Sequence, residues 1–170
     1  MTFDATKNYP KQTDSRVIIR FQDCDPLQHL NNAKYFDYFF NAREDQVAKL
    51  YDVRPADFYK QHNATWVIYN HQIAYVRPAM MGSWVRIFSR LLWFNHNTIV
   101  VEFYMTDEQR THLKALLWST MRFVDVAKGN SIDHFPDVLQ YLKGVCLPAV
   151  DFEHTNFSTR IKQIKAEIKG

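Results

Sequence analysis

Residues 20–35 read RFQDCDPLQHLNNAKY, and the rest of the chain is organised around them. A short β-type run, Val17–Phe21, leads into this stretch, a polar loop with two aspartates follows, and an aromatic helix pattern begins at Asn31 or Asn32. Asparagine is a favoured N-cap because its side-chain oxygen accepts hydrogen bonds from the free N–H groups of the first helical turn. The stretch therefore predicts a strand, a loop and a helix start.

The same stretch combines two chemical functions. Free N–H groups at a helix start, together with the partial positive charge of the helix dipole, favour an anion or a developing oxyanion. Asp25 lies seven residues before Asn32 and supplies a carboxylate that can attack a carbonyl or activate water. The sequence therefore predicts a base or nucleophile beside an oxyanion site.

Two segments resemble the signatures of a known family. Residues 23–26 (DCDP) and 29–35 (HLNNAKY) resemble the signature loop of the hotdog-fold acyl-CoA thioesterases, the 4-hydroxybenzoyl-CoA thioesterase family. Residues 75–83 (YVRPAMMGS) resemble a turn of the same family that contains proline and glycine. One position departs from the pattern, because Gln28 stands where the family has a glycine, a residue suited to positive φ.

The resemblance implies an α+β hotdog fold, in which a curled antiparallel sheet wraps a long central helix. The helix pattern over Ala33–Leu50 places Phe36, Phe39, Phe40, Val47 and Leu50 near one face, with Tyr35, Tyr38 and Ala42 widening it. Four β-rich runs follow at residues 65–75, 83–93, 98–106 and 112–125, with turn signals between them. Long strands with short connections favour an antiparallel sheet.

A length of 170 residues fits one domain. We predict a polar lead-in at residues 1–15, the hotdog domain at 16–126 and a C-terminal helical extension, packed on the domain, at 127–170. Residues 51–64 indicate a connection with a short helical turn.

The extension contains two predicted helices. One spans residues 136–143, with proline at its start and Gly144 after its end. The other spans residues 158–169 and places three isoleucines opposite its lysines. We expect this amphipathic helix to dock on its own sheet or on a partner subunit, rather than on a membrane surface.

Composition excludes several classes of protein. Hydrophobic residues make up 46% of the chain, which indicates a globular protein. No run of 18 apolar residues and no apolar signal core is present, so we expect a cytoplasmic protein without a membrane partner. A net charge of +3 is too weak to indicate a nucleic-acid partner. Cys24 and Cys146 lack metal-binding spacing and are expected to stay reduced.

The resemblance implies hydrolysis of an acyl-CoA thioester to the free acid and coenzyme A. It implies that Asp25 is the base or nucleophile and that the backbone N–H of Asn32 stabilises the oxyanion. Coenzyme A is then part of the substrate, and no separate cofactor or metal is expected. We expect a homodimer formed through the sheet, with two dimers associating into a homotetramer.

Seven further residues are candidates for substrate contact: His29, Asn31, Tyr35, His71, Arg77, Arg86 and Arg90. His71 lies on a strand that, in this fold, runs beside the active site of a dimer mate. The arginines are candidates for the phosphates of coenzyme A. Simpler roles stay open, since a histidine can order a loop, an arginine can be a solvated strand charge, and Asp25 can close an Asx turn.

Other chemistries are disfavoured. Asp23 is expected to be structural, because only Asp25 matches the catalytic position of the family. Flanking carboxylates should raise the pKa of the Cys24 thiol, which disfavours a cysteine nucleophile. No third metal ligand joins the aspartates and His29, and no Gly-x-Ser-x-Gly elbow is present.

Three alternatives share the fold. The thiol carrier could be acyl carrier protein instead of coenzyme A. The chain could also bind acyl-CoA without hydrolysing it, a possibility for which Gln28 leaves room. A hydratase is less favoured, because the Asp-x-Asp loop is a thioesterase feature.

Overall fold

The structure is a computed structural model that describes residues 7–51 and 55–168, with the backbone alone for residues 55–58. Within these residues, five strands form an antiparallel sheet in the order β1-β3-β4-β5-β2. The strands are β1 (Thr13–Ile18), β2 (Ala64–Tyr75), β3 (Trp84–Phe94), β4 (Thr98–Asp107) and β5 (Leu113–Asp125). The four runs predicted as strands match β2 to β5 to within one residue at each end.

Four α-helices accompany the sheet in the described part of the chain: α1 (Lys34–Leu50), α2 (Pro55–His62), α3 (Pro136–Val145) and α4 (Phe157–Glu167). Buried side chains of α1 pack against one face of the sheet, where they meet Val85, Ile87 and Phe103. We call this the α1 face. The predicted layout, a central helix on a curled antiparallel sheet, is confirmed.

The buried side of α1 is rotated from the predicted one. Tyr35, Tyr38, Phe39 and Ala42 are buried, whereas Phe36, Phe40, Val47 and Leu50 are only partly buried. Hydrophobic spacing defines a broad apolar stripe, but the spacing does not tell which edge of that stripe meets the sheet. The partly buried edge, which includes Phe40 and Val47, borders a cavity.

Helix α1 begins at Lys34, and not at Asn31 or Asn32 as predicted. Ala33 is its N-cap and makes no side-chain capping bond. Asn31 instead orders the preceding turn: its Oδ1 accepts the Ala33 N–H at 3.0 Å, and its carbonyl accepts the Lys34 N–H at 2.8 Å. The capping chemistry expected of asparagine is therefore used one turn earlier.

The first strand also differs from the prediction. β1 starts at Thr13, inside the predicted lead-in of residues 1–15, and ends at Ile18. Phe21, predicted to be in the strand, begins a 3-10 turn and is 82% exposed. Thr13 pairs with Ser89 of β3, and their side-chain oxygens are 2.8 Å apart. This partner is distant in sequence, so the local pattern does not reveal it.

The connecting and C-terminal helices differ from the prediction in their ends. The predicted short helical turn is the eight-residue helix α2, and residues 52–54 of the predicted connection lie outside the described residues. Helix α3 continues through Gly144 to Val145, so Gly144 does not terminate it. Asn156 caps α4 by accepting the Thr159 N–H at 2.8 Å, and Lys169 lies outside the described residues.

Helices α3 and α4 lie on opposite faces of the sheet. Val138 and Leu142 of α3 belong to the same core as α1. Phe157 and Ile164 of α4 pack on the other face, against a second core that includes Trp118. We call this second face the α4 face.

A buried ionic cluster fixes α4 to its face. Glu102 of β4 is fully buried and accepts Arg90 Nε at 2.7 Å, Arg160 Nε at 2.9 Å and Trp118 Nε1 at 2.8 Å. Burial alone would raise the pKa of Glu102, but the hydrogen bond from Arg160 and the charges of both arginines keep this pKa below its usual value. Arg90 also donates to Glu167 at the end of α4, at 3.0 Å. All these charges are paired within the chain.

Candidate active site

Backbone hydrogen bonds give the loop before α1 a fixed shape. The Asp25 N–H donates to the His29 carbonyl at 2.8 Å, and the Gln28 N–H donates to the Asp25 carbonyl at 2.9 Å. Gln28 has a φ of 62°, in the left-handed region. The backbone therefore takes, at this position, the conformation that suits the family's glycine, at a cost of about 1–2 kcal/mol for a residue with a Cβ.

The Asp25 carboxylate uses one of its two oxygens to shape the loop. Oδ1 accepts the Leu27 N–H at 2.9 Å and the His29 N–H at 3.0 Å, which closes an Asx turn. Oδ2 has no hydrogen-bond partner among the described residues. The structural role considered for Asp25 is thus present, and it leaves the second oxygen free for chemistry.

Asn32 offers an unpaired backbone donor. Its N–H has no acceptor within residues 7–51 and 55–168. The following peptide is held at both ends, because the Tyr75 hydroxyl donates to the Asn32 carbonyl at 2.8 Å and Asn31 Oδ1 accepts the Ala33 N–H. These two bonds hold the backbone on the C-terminal side of the free N–H.

Asp25 and Asn32 line the same cleft, which has a volume of about 220 Å³. Three other predicted residues, His29, Tyr35 and Arg77, also line it. A carboxylate oxygen and a free N–H donor on one small cleft are the two groups that thioester hydrolysis requires.

Two tyrosines support the wall of the cleft. Tyr35 is 2% exposed, its hydroxyl accepts the Ala79 N–H at 3.3 Å, and its ring lies edge-on to that of Tyr75 at 5.1 Å. Burial raises the pKa of both side chains, so both stay neutral donors and acceptors. Tyr75 belongs to the second family-like segment, residues 75–83, but its place at the site is not predicted from the sequence. Its bond to Asn32 spans 43 residues, and such a distant contact leaves no local pattern.

The other two side chains of the Asp-Cys-Asp run have structural contacts. Asp23 Oδ2 accepts the Tyr38 hydroxyl at 2.9 Å, which ties the loop to α1. Burial, reinforced by Asp23, raises the pKa of Tyr38 to about 12. The Cys24 thiol donates to the Arg20 carbonyl at 3.3 Å, and its pKa is raised by burial first and by the two flanking carboxylates second. The predicted direction of this shift is confirmed.

The structure does not bring the remaining candidates to this cleft. His71 contacts Ser119 Oγ at 3.0 Å and the Phe36 ring at 5.0 Å, and burial lowers its pKa. Arg86 pairs with Asp14, and Arg90 pairs with Glu102. Both arginines lie on the α4 face, because they alternate with the residues of β3 that face α1.

Similarity to known proteins identifies the family of this chain. The family model of the thioesterase-like superfamily matches residues 19–142. The chain belongs to this superfamily. It is therefore an enzyme of the thioester hydrolase class, as the signature loop predicted.

Individual relatives agree with this thioesterase assignment. The long-chain acyl-CoA thioesterase FadM of Escherichia coli K12 is 27% identical over 112 residues, which cover 66% of this chain and 83% of FadM. The structure of YbaW from Escherichia coli, described as a probable thioesterase, matches with a TM-score of 0.68 and 24% identity over 79% of this chain and 98% of YbaW. The DHNA-CoA thioesterase of Staphylococcus aureus matches with a TM-score of 0.69 and 17% identity over 79% and 90% of the two chains. The predicted hotdog fold of this thioesterase is thus confirmed.

In residues 7–51 and 55–168, no helix of this thioesterase combines the length and the apolar character needed to cross a membrane. The predicted cytoplasmic location and the predicted lack of a cofactor stay predictions.

Proposed function

We propose that this thioesterase hydrolyses acyl-CoA, with Asp25 as the base or nucleophile and the Asn32 N–H as the oxyanion donor. One observation carries the proposal: Asp25 and Asn32 line one cleft, and neither Asp25 Oδ2 nor the Asn32 N–H has a hydrogen-bond partner among the described residues. The names of FadM, a long-chain acyl-CoA thioesterase, and of the DHNA-CoA thioesterase both specify a coenzyme A thioester, which supports coenzyme A as the thiol carrier.

Two routes are compatible with this arrangement. In the covalent route, Oδ2 attacks the thioester carbonyl, the C–S bond breaks and coenzyme A leaves as its thiolate. Water then hydrolyses the mixed anhydride, which restores the Asp25 carboxylate, releases the acyl group as its carboxylate and gives the proton that the thiolate takes up. In the general-base route, Asp25 takes a proton from water, the resulting hydroxide adds to the carbonyl, and the proton passes to the leaving thiolate. In both routes the carbonyl oxygen gains negative charge and accepts the Asn32 N–H, a donor of a kind worth about 3 kcal/mol in the transition state.

The fixed loop explains how the cleft could act without large rearrangement. The two hydrogen bonds to Oδ1 orient the carboxylate, and the Tyr75 bond to the Asn32 carbonyl fixes the adjacent peptide. Groups that are oriented before the reaction lose little conformational freedom during it. Arg77, at the same cleft, is the arginine we propose for a phosphate of coenzyme A.

We also propose that the chain forms a homodimer through β2, and that dimers pair into a homotetramer. β2 is an edge strand of 12 residues, and it exposes Val67, Ile68 and Tyr69 by 42%, 51% and 61%. A long apolar edge strand presents unpaired N–H and C=O groups to a second strand. In such a dimer, His71 of one subunit would lie near the cleft of its mate.

The activity is tested by assaying the purified protein on a panel of acyl-CoAs, with the same acyl groups on acyl carrier protein as competitors. We expect release of coenzyme A and a large loss of turnover in Asp25→Asn. Preference for the carrier-protein thioester would assign the alternative thiol carrier. Tight binding of acyl-CoA without turnover would identify a non-catalytic binder and contradict the proposal.

The assembly is tested by light scattering on the wild type and on Ile68→Lys. We expect a tetramer for the wild type and smaller species for the variant, because a charge opposes strand pairing at the edge. Glu153→Lys, an exposed position outside the strands, is the control and should keep the wild-type mass. A monomeric wild type would contradict the proposed assembly without affecting the proposed chemistry.

A further inference from the structure

A second cavity, of about 390 Å³, lies between α1, α3 and the α1 face of the sheet. Most of its lining is apolar and includes Phe40, Val47, Leu91, Val101, Leu142 and Val145. This volume falls within the range of about 300–1,000 Å³ that is typical of small-molecule sites, which are mainly apolar with a few polar groups. The cavity is thus suited to an extended hydrocarbon chain.

The cavity lies along the side of α1 that leads away from the candidate active site. Phe36 and Phe40 are four residues apart within α1, so they lie on one side of the helix, and Asn32 lies in the turn just before its start. The rings of Phe36 and Phe40 both contact the His71 ring, with centroids 5.0 and 5.7 Å apart. Phe40 lines the cavity, and an acyl chain whose carbonyl lies at the cleft would pass along this aromatic side of α1 to reach it.

Arg43 is the one cation among the described residues that line this apolar cavity. It is partly buried, and burial lowers its pKa. Its Nη1 donates to Ser89 Oγ at 3.1 Å, and Ser89 Oγ is also bonded to Thr13. Among the described residues, no carboxylate forms an ion pair with Arg43.

The charges around Arg43 differ from those around the arginines of the α4 face. Arg90 and Arg160 each have two carboxylate partners. Glu44 also lines the cavity, but it is exposed and makes no ion pair with Arg43 within the described part of the chain. A guanidinium has five N–H donors, and within the described residues Arg43 uses one of them, on Ser89 Oγ. An unpaired cation is costly in apolar surroundings.

We propose that this cavity binds the far part of the acyl group and that Arg43 recognises a carboxylate at its far end. The preferred substrates would then be long acyl groups with a second, terminal carboxylate. A carboxylate matches the planar, forked donors of a guanidinium better than a hydroxyl does. Arg43 lies nine residues after Lys34, the first residue of α1, about 14 Å at the helical rise, a distance that an extended chain of about a dozen carbons spans. The inference rests on the proposed acyl-thioester hydrolysis.

A kinetic experiment compares hexadecanoyl-CoA with its ω-carboxy analogue on the wild type, Arg43→Met and Arg43→Lys. Hydrogen bonds to charged groups are strong enough that we expect a kcat/KM at least about tenfold higher for the ω-carboxy substrate in the wild type. Arg43→Met should lose this preference, and Arg43→Lys should keep part of it. Arg122→Met removes an exposed arginine outside the cavity and should keep the full preference.

A binding experiment tests the cavity without thioester chemistry. Isothermal titration calorimetry compares hexadecanoate with hexadecan-1-ol, and we expect the acid to bind at least about tenfold more tightly to the wild type but not to Arg43→Met. The protein could bind the acid through Arg43 and yet cleave no thioester. That result would support the carboxylate site at Arg43 and contradict the proposed function. Turnover with equal kcat/KM for both substrates, or a preference that survives in Arg43→Met, would overturn the inference alone. If Arg43→Met does not fold, Arg43→Lys and the two wild-type comparisons give the same decision.

Discussion

The α4 face of the sheet and the loop before α1 differ in how completely their charged and polar groups are paired. On the α4 face, the carboxylates of Glu102 and Glu167 neutralise Arg90 and Arg160 within a closed cluster. Beside α1, the Asp25 carboxylate keeps one oxygen free and the Asn32 N–H has no acceptor among the described residues. The cluster on the α4 face is buried, whereas Asp25 is partly buried and Asn32 is exposed, and within the described residues only this second region has unused bonding capacity.

This difference indicates what each face does. A protein normally satisfies its buried polar groups, because an unpaired one costs about 1–3 kcal/mol. The closed cluster on the α4 face fits a role in holding the C-terminal helix. The open groups beside α1 carry no such cost, because Asn32 is exposed and Asp25 is partly buried, and they are accessible to a ligand. Replacements on the two faces should therefore affect different quantities.

The largest effect is expected for Asp25→Asn. The amide keeps an oxygen that can accept the Leu27 and His29 N–H groups, but it cannot act as a base or a carboxylate nucleophile. We expect kcat/KM for acyl-CoA to fall about 100- to 10,000-fold. The free energy of unfolding should change by less than about 0.5 kcal/mol.

Asp133→Asn is the matched control, since Asp133 is an exposed aspartate outside the cleft. Its kcat/KM should equal that of the wild type. Wild-type turnover in Asp25→Asn would remove Asp25 from the mechanism.

Glu102→Gln tests the closed cluster. The variant leaves Arg90 and Arg160 without their shared carboxylate, and breaking a buried ion pair typically costs about 3–5 kcal/mol. We expect a loss of this size in the free energy of unfolding, measured by urea denaturation. The kcat of the folded fraction should be unchanged, because the cluster lies on the α4 face.

The pH dependence of stability gives a second measure of the same cluster. The pKa of Glu102 is lowered on folding, so its contribution to stability is present above its ordinary pKa of 4.5 and is lost as the pH falls through the lowered pKa. Wild-type and Glu102→Gln stabilities should therefore converge at acid pH. A constant difference between them from pH 7 to pH 2 would contradict this account.

A smaller effect is expected for Tyr75→Phe. This change removes the hydroxyl that donates to the Asn32 carbonyl and leaves the ring in place against Tyr35. One neutral hydrogen bond contributes about 1 kcal/mol, so we expect kcat to fall about fivefold through a less well-oriented Asn32 N–H. Tyr69→Phe on the same strand has no such bond to lose and should be neutral; equal kcat in the two variants would assign Tyr75 to packing alone.

The smallest effect is expected for Gln28→Gly. Glycine adopts the observed φ of 62° without strain, although it adds conformational freedom to the unfolded chain. We expect a gain of about 0.5–1 kcal/mol in the free energy of unfolding, measured by the urea midpoint, with unchanged kcat. Leu27→Gly, at a neighbouring exposed residue without positive φ, should instead destabilise the protein. A loss of stability in Gln28→Gly would show that the glutamine side chain has a role of its own.

Much of the fold could be predicted from the sequence, because strand position depends on local patterns. The runs that form β2 to β5 alternate or continue in hydrophobicity and end at turn residues, so their ends were predicted to within one residue. The position of β1 was less accurate, since its start is fixed by pairing with Ser89. The start of α1 was placed too early because Asn31 bonds within a turn that precedes the helix.

The family, the fold class and the loop that carries Asp25 and Asn32 ahead of a long helix could be predicted from the sequence, because the motifs behind them consist of residues that are close together along the chain. The tertiary structure was needed to show which oxygen of Asp25 stays free and that Tyr75 holds the Asn32 carbonyl. It was also needed to show that Arg90 is bound to Glu102, whereas Arg43 has no acid partner in the described chain. These contacts join distant segments, and the partner of a polar side chain depends on which face of the sheet it occupies. Hydrophobic spacing does not specify that partner.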